Sequence, residues 1–318
     1  MAEMMKNSIK NSIIFEKPSH DLLKAVGMQG VDMHFHTRYS DTNVHIRSII
    51  KRAKEKGIGV AITDHNEIAG SLEAARNIEG VLIIPGIEVS CLDGPHILLY
   101  FYSFKELVHF FETHIKPNRG KNPFLATNIR TAELIHSTRK YNCLRVAAHP
   151  YGYMIANNGL SKAIGKAHVS HEVMRDIDGL EVICGAIGRR YNRKAVEQAR
   201  LLGRAVTGGT DGHTLFQLGE VLTISRADTR KEFLDNIKKK NNIVMGKELK
   251  MVPKIVPATK MLKTHAIDYT VPTIKLQSRL LYDRAVGRAD KIKCNVKERI
   301  KKNRVAKKIN GIFKKNSF

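Results

Sequence analysis

The chain has 318 residues, 42% of them hydrophobic, and carries 54 Lys and Arg against 30 Asp and Glu, a net charge of +24. That apolar fraction supports a sizeable buried core and excludes a disordered chain, while no run reaches the roughly 18 apolar residues of a membrane span. The first twenty residues (MAEMMKNSIKNSIIFEKPSH) hold no continuous apolar signal core, so a soluble cytoplasmic protein with no transmembrane segment is expected. Cys91, Cys143, Cys184 and Cys294 are far apart and form no C-x-x-C pair, which predicts reduced core residues and neither a disulfide framework nor a thiolate metal site.

From Val31 onward short β-rich runs alternate with helical patterns, the mark of β/α units around a mainly parallel sheet. Val31–His36 reads as a strand. Val44–Lys56 places Ile46, Ile49, Ile50 and Ala53 at helical spacing and stops at Gly57, and Ile58–Thr63 is a strand again. Ile68–Asn77 is helical, Val81–Ile84 and Ile97–Tyr102 are strand-like, and Phe104–Ile115 returns to a helical pattern. A loop over 116–123 (KPNRGKNP) precedes an expected long helix, Phe124–Tyr141, in the position of a lid or insertion. Further strands are expected at Arg145–Ala148, Gly179–Cys184, Ala205–Gly208 and Glu220–Ser225, with helices at Ser161–Arg175, Asn192–Leu202 and Thr229–Lys239.

Seven or eight strands in an unbroken run predict one barrel-like α/β domain over residues 28–240, with an N-terminal extension at 1–27. After Lys240 the rhythm fails. Residues 238–318 hold 23 Lys and Arg against 5 Asp and Glu, so most of the net charge lies there. Residues 241–318 read as an appended basic, mainly helical extension, open to two readings: a solvated amphipathic helix that docks on the barrel, or a nucleic-acid-binding element.

The residues that carry chemistry sit mostly at strand ends. In V-D-M-H34-F-H36-T-R-Y-S-D41, two histidines two apart point to one side of a strand and can reach one metal, with Asp41 on the following loop. The next strand ends in Asp64-His65-Asn66 and another in P-G-I-Glu88. His96 opens H-I-L-L-Y, His149 follows Val146-Ala147-Ala148, and Gly208-Gly209-Thr210 leads into Asp211-Gly212-His213. In β/α barrels the loops after the strands converge to build the active site. Nine nitrogen and oxygen donors without a thiolate suit two or three divalent ions, Mn2+, Zn2+ or Fe2+, and hydrolysis of a phosphoester is the natural use.

These motifs resemble the polymerase and histidinol phosphatase (PHP) family of metal-dependent phosphoesterases. H-F-H-x-x-x-S-D, A-I-T-D-H-N-x-I-A-G, P-G-I-E-V-S, H-I-L-L-Y, A-H-P and G-T-D-G-H-T occur in family order over residues 30–240. The resemblance implies a distorted (β/α)7-like barrel. It implies one metal on His34 and His36 with Glu88 and Asp211, a second on Glu88, His96 and His149, and a third on Asp41, His65 and His213. His34, His36, Glu88 and Asp211 are the implied catalytic set, acting through bound metals and a metal-activated hydroxide. The segment L-E-V-I-C-G…N-R-K-A…A-R-L-L-G-R-A-V-T-G-G-T-D-G-H is similar to members that cleave nucleotides and short oligonucleotides. Two departures stand out: S-D-T replaces the usual S-D-G, and D-G-H the usual D-A-H.

Arg38, Arg189 and Arg190 are candidate ligands of substrate phosphate, with Tyr151 behind them. Asp64 is expected to be no ligand but a turn residue or a partner that orients a metal-binding histidine, and Gly208-Gly209 to form a tight turn. The expected substrate is a phosphorylated small molecule or nucleotide. A histidinol-phosphate-type phosphatase and a non-catalytic, metal-stabilised nucleic-acid-binding module are the competing readings.

Overall fold

The computed structural model describes residues 12–76, 80–152 and 159–248. The first part of the chain gives β1 (Ser12–Ile14), α1 (His20–Ala25), β2 (Gln29–Phe35), α2 (Ile46–Lys56), β3 (Gly59–Ile62) and α3 (Ala69–Ala75). The middle gives β4 (Ile83–Ser90), β5 (His96–Phe101), α4 (Phe104–Phe110), α5 (Thr131–Ser137), β6 (Cys143–Ala147) and α6 (Leu160–Gly165). Then follow β7 (Gly179–Cys184), α7 (Arg189–Leu201), β8 (Ala205–Gly209), β9 (Val221–Ser225), α8 (Arg230–Lys238) and β10 (Ile243–Gly246).

Local sequence explains the helices. In α2, Ile46, Ile49 and Ala53 face inward and Gly57, at φ 64°, ends the helix in the left-handed region. Thr229 and Glu232 form a capping box at the start of α8, which buries Phe233, Leu234 and Ile237. In α7 the amide of Asn192 spans the backbone of Cys184 and Ile187, stapling the helix to the end of β7.

The strands form one sheet in the order β1-β10-β9-β2-β3-β4-β5-β6-β7-β8. It curls until its last strand meets β2. His36 N–H donates to the Gly212 carbonyl (3.0 Å), Gly212 N–H to that of His34 (3.4 Å), and Thr210 N–H to Asp32 Oδ1 (2.9 Å). This is the mixed α/β, barrel-like sheet expected from the sequence. Helices α4 to α7 pack around one apolar cluster with β5 and β7, and α1 and α2 around a second with β3 and β9.

Several elements differ from expectation. β5 runs antiparallel to both β4 and β6, and β9 antiparallel to β2 and β10, so the sheet is less parallel than the β/α rhythm implies. It also takes in β1 and β10, which lie outside the 28–240 span. The long helix expected over 124–141 is reduced to α5 and a short 3-10 turn. The reason is competition for backbone: Thr127 N–H donates to Ser90 and Leu92 N–H to Ile129, so this stretch lines the β4–β5 turn. The helix expected over 161–175 breaks where Ala167 adopts φ 55°. Gly208-Gly209 is strand and not a turn, because Gly209 lies so close to β2 that a Cβ would collide with the His34 backbone. The basic stretch expected to be helical after residue 248 lies outside the described residues.

Candidate metal centre

All nine sequence-selected donors converge at one end of this sheet. His34 and His36 sit at the end of β2 and Asp41 on the loop behind it; His65 follows β3, His149 follows β6, and Asp211 and His213 follow β8. Glu88 lies within β4, where it forms an isolated parallel bridge with His65. His96 begins its strand, yet antiparallel pairing sets it opposite Ser90 at the far end of β4 and so on the same rim.

Glu88 is the hub. Its Oε1 lies 3.0 Å from His96 Nδ1 and 3.1 Å from His149 Nε2. Its Oε2 lies 2.8 Å from His65 Nδ1 and 3.5 Å from Nε2 of both His34 and His36. Those two Nε2 atoms are 3.1 Å apart, and Asp211 Oδ1 is 3.2 Å from that of His36. Three trios offer ligand atoms within 4.8 Å of one another: His34–His36–Asp211, His36–His65–Glu88 and Glu88–His96–His149. The first and third match implied groupings. In the second, His65 joins His36 and Glu88, while Asp41 reaches His213 at 2.8 Å and His65 at 3.7 Å.

The chemistry of this set fits divalent cations. His36 Nδ1 is a buried side-chain atom without a hydrogen-bond partner, an arrangement that is costly unless something else satisfies it. Six imidazoles crowd together with neighbouring ring centroids as close as 4.6 Å, so they cannot all carry charge. Burial pushes the His36 imidazole down to about 4, with His65 and His213 adding repulsion against the pull of Asp41 and Asp211. Burial also opposes charge on His65, but Glu88, Asp41 and Asp211 carry it up to about 9. Burial disfavours the Glu88 carboxylate too, and the surrounding histidines more than offset that, holding it well below its ordinary range. Cations between these groups would replace uneven protonation with neutral imidazole and ionised carboxylate ligands.

The S-D-T departure leaves the turn intact. Thr42 N–H donates to the Thr37 carbonyl at 3.3 Å, Thr42 Oγ1 accepts from Val44 N–H at 3.0 Å, and Thr42 is not among the positive-φ residues. Asp64 takes the turn role of the two expected for it, bonding Thr37 and Ser40 and not a histidine. It accepts from the Thr37 N–H and hydroxyl (both 2.7 Å) and from the Ser40 hydroxyl (2.6 Å), fixing the loop that carries Asp41. Three non-glycine residues at or beside the site, Asn66, His149 and Asp211, adopt positive φ, the kind of backbone cost that functional sites carry.

Sequence reasoning passed over two buried carboxylates. Asp32 accepts from Thr210, Gly219 and His34, and burial raises it to about 6. Glu181 Oε1 lies 3.0 Å from His34 Nδ1, and its Oε2 accepts the His149 N–H at 2.7 Å. The available signal was an acid within an apolar strand, in V-D-M and in G-L-E-V, where ionisable groups are rarely buried without a partner.

The candidate phosphate ligands are less closely gathered. Arg38 is exposed beside His36, near His45 and Tyr39. Arg189 donates to Glu248 at 2.6 Å and lies over the Phe15 ring, so its guanidinium is engaged within the fold. Arg190 is exposed on the first turn of α7, and Tyr151 lies half-buried under Lys194. Phe124, missed from sequence, meets His65 edge-on at 5.4 Å while 38% exposed.

A buried cage of imidazoles and carboxylates at the rim of a curled β/α sheet defines a metal-dependent hydrolase. The chain belongs to the PHP domain family, whose model matches residues 32–213, and a PHP-associated model matches residues 189–242. No curated protein sequence matches the chain. Among solved structures it is similar to a candidate metal-dependent phosphoesterase from Bifidobacterium adolescentis, with 21% identity and TM-score 0.51 over 74% of this chain and 99% of that one. It is also similar to a lesion-specific endonuclease from Pyrococcus furiosus, with 19% identity and TM-score 0.56 over 68% of this chain and 57% of that one. A third similar structure is endonuclease Q bound to a 27-mer duplex with an abasic lesion at its active site, at 19% identity and TM-score 0.54 over 67% and 57% of the two chains. The match thus takes in little more than half of each endonuclease. Among the described residues no helix is long and apolar enough to cross a membrane.

Proposed function

We propose that the protein hydrolyses phosphomonoester or phosphodiester bonds of nucleotides or short oligonucleotides, with His34, His36, Asp41, His65, Glu88, His96, His149, Asp211 and His213 holding two or three divalent cations. The observation that carries the metal part is three donor trios whose ligand atoms lie within 4.8 Å of one another, with His36 Nδ1 buried among them without a hydrogen-bond partner. His34, His36, Glu88 and Asp211 would hold one ion, Glu88, His96 and His149 a second, and Asp41, His65 and His213 a third. Bound there, divalent cations supply Lewis acidity, which makes water nucleophilic near neutral pH and offsets charge on phosphoryl oxygens.

The protein's own groups do the rest. Glu88 and Asp211 keep the cage anionic enough to retain cations, and burial on the barrel rim limits competing water. Arg38 and Arg190, both exposed and cationic, are the side chains that would receive phosphate oxygens. The nucleotide preference rests on the 180–213 segment, on the basic stretch 238–318, and on the likeness to endonuclease Q, which holds a 27-mer duplex substrate.

The test is phosphate or nucleotide release by Mn2+-loaded protein across histidinol phosphate, nucleotide mono- and bisphosphates and short oligonucleotides, with His34→Ala as control. Turnover of nucleotides or oligonucleotides that vanishes in the variant is expected. Turnover confined to histidinol phosphate would place the protein among small-molecule phosphatases instead.

A further inference from the structure

We infer that Glu181 is a positioning residue that holds His34 in the one tautomer able to bind a cation and ties that ring to the backbone of His149. The inference rests on the metal-centre reading above and goes beyond it, because Glu181 is not one of the nine donors.

The geometry divides the His34 ring into two sides. Nε2 faces the cage, 3.1 Å from His36 Nε2, 3.5 Å from Glu88 Oε2 and 3.9 Å from Asp211 Oδ1. Nδ1 faces away from it, 3.0 Å from Glu181 Oε1. A carboxylate is acceptor-only, so the proton of a neutral His34 sits on Nδ1 and the Nε2 lone pair points into the cage. The second oxygen of Glu181 is committed as well, accepting the His149 N–H at 2.7 Å. His149 Nε2 lies 3.1 Å from Glu88, so one buried carboxylate on β7 orients donors of two implied metal positions. Both Glu181 and His34 are essentially inaccessible, at 1% and 0% exposure, so water does not substitute for either bond.

This double duty makes glutamine a poor replacement despite its equal size. The His149 N–H can only donate and therefore claims the amide oxygen of a glutamine. The amide NH2 then faces His34 Nδ1, which must offer a lone pair, and the ring proton moves to Nε2, where the cation would bind. Turned the other way, the amide sets NH2 against the buried His149 N–H and leaves two donors face to face. Either arrangement weakens metal binding, as a wrong-tautomer histidine does elsewhere.

The experiment is Mn2+ titration of the metal-stripped full chain, followed by calorimetry and by the EPR signal of free Mn2+, for wild type, Glu181→Gln, Glu181→Asp and His34→Ala. Expected is an affinity loss of about 10–100-fold in Glu181→Gln, confined to the equivalents held by His34 or His149, the first of which His34→Ala also loses, with Glu181→Asp restoring part of it. Wild-type affinity in Glu181→Gln, or a uniform weakening of every equivalent alongside a lower melting temperature in EDTA, would overturn the inference. If Glu181→Gln does not fold, Glu181→Asp against Glu181→Ala decides: tighter binding by Asp supports the inference and equal binding overturns it. No Mn2+ uptake by the wild type would instead overturn the metal-centre reading itself.

Discussion

Asp41 Oδ2 lies 2.8 Å from His213 Nε2, joining the loop after β2 to the loop after β8 across 172 residues of chain. The contact exists although Thr42 replaces the glycine usual after this aspartate in the family that the motif resembles, because Thr42 closes its own turn through Thr37 and Val44. Restoring the glycine should therefore gain nothing. Thr42→Gly is expected to lower stability by about 1 kcal/mol through added chain entropy and to leave Mn2+ stoichiometry unchanged. Asp41→Ala should weaken binding of one equivalent at least about tenfold. Parallel Mn2+ titrations check both, and a higher metal count in Thr42→Gly would show that the threonine does distort the turn.

A cage that binds cations only when folded links metal to stability. If Mn2+ is present at about 100 times its dissociation constant, it adds roughly 2.7 kcal/mol, which for a domain of this size raises the melting temperature by roughly 5–10 °C. Thermal melts of EDTA-treated protein before and after Mn2+ addition measure this. The rise should be clearly smaller in His36→Ala, whose ring contributes to two of the three close donor trios.

The site was more legible than the fold. H-x-H, D-H-N, P-G-I-E, A-H-P and D-G-H declare themselves because imidazoles and carboxylates at strand ends have few other reasons to recur in such order. His96 looked misplaced at the start of its strand, since sequence does not state strand direction, and the antiparallel pairing of β5 with β4 returns it to the rim. Periodicity failed where backbone partners outweighed local preference: the stretch at Thr127–Ile129 carries helical spacing but hydrogen-bonds to the β4–β5 turn. Glu181 went unread because its role depends on His34 and His149, at distances of 147 and 32 residues along the chain.

The buried thiols predict an alkaline effect. Burial pushes Cys143 up to about 12 from an ordinary 9.0, and burial likewise raises Cys91 well above it. The folded state thus retains a proton that the unfolded state loses, so the contribution of Cys143 is fully present below pH 9 and is lost as pH rises from there toward 12. Because the thiolate is the reactive form, both cysteines should alkylate at least about a hundredfold more slowly in native protein at pH 8.5 than in guanidinium. Mass spectrometry after timed iodoacetamide exposure reads each site, and native labelling at the unfolded rate would mean that β4 and β6 open freely.

Gly209 tests whether barrel closure and metal binding are one event. A methyl group there would meet the N, Cα and Cβ of His34, which cannot swing aside as the far end of a side chain can. Gly209→Ala must therefore part β8 from β2, weakening the Gly212 hydrogen bonds to His34 and His36 that set both imidazoles in place. The cost expected for such overpacking is about 1–3 kcal/mol. Because the displaced residue is itself a proposed ligand, Mn2+ affinity should fall together with the melting temperature of the EDTA-treated protein. A substitution of similar stability cost far from the rim, Ile237→Val in the core of α8, should lower the melting temperature while leaving metal affinity unchanged. Equal metal affinity in the two variants would show that the cage holds its geometry without the β2–β8 seam.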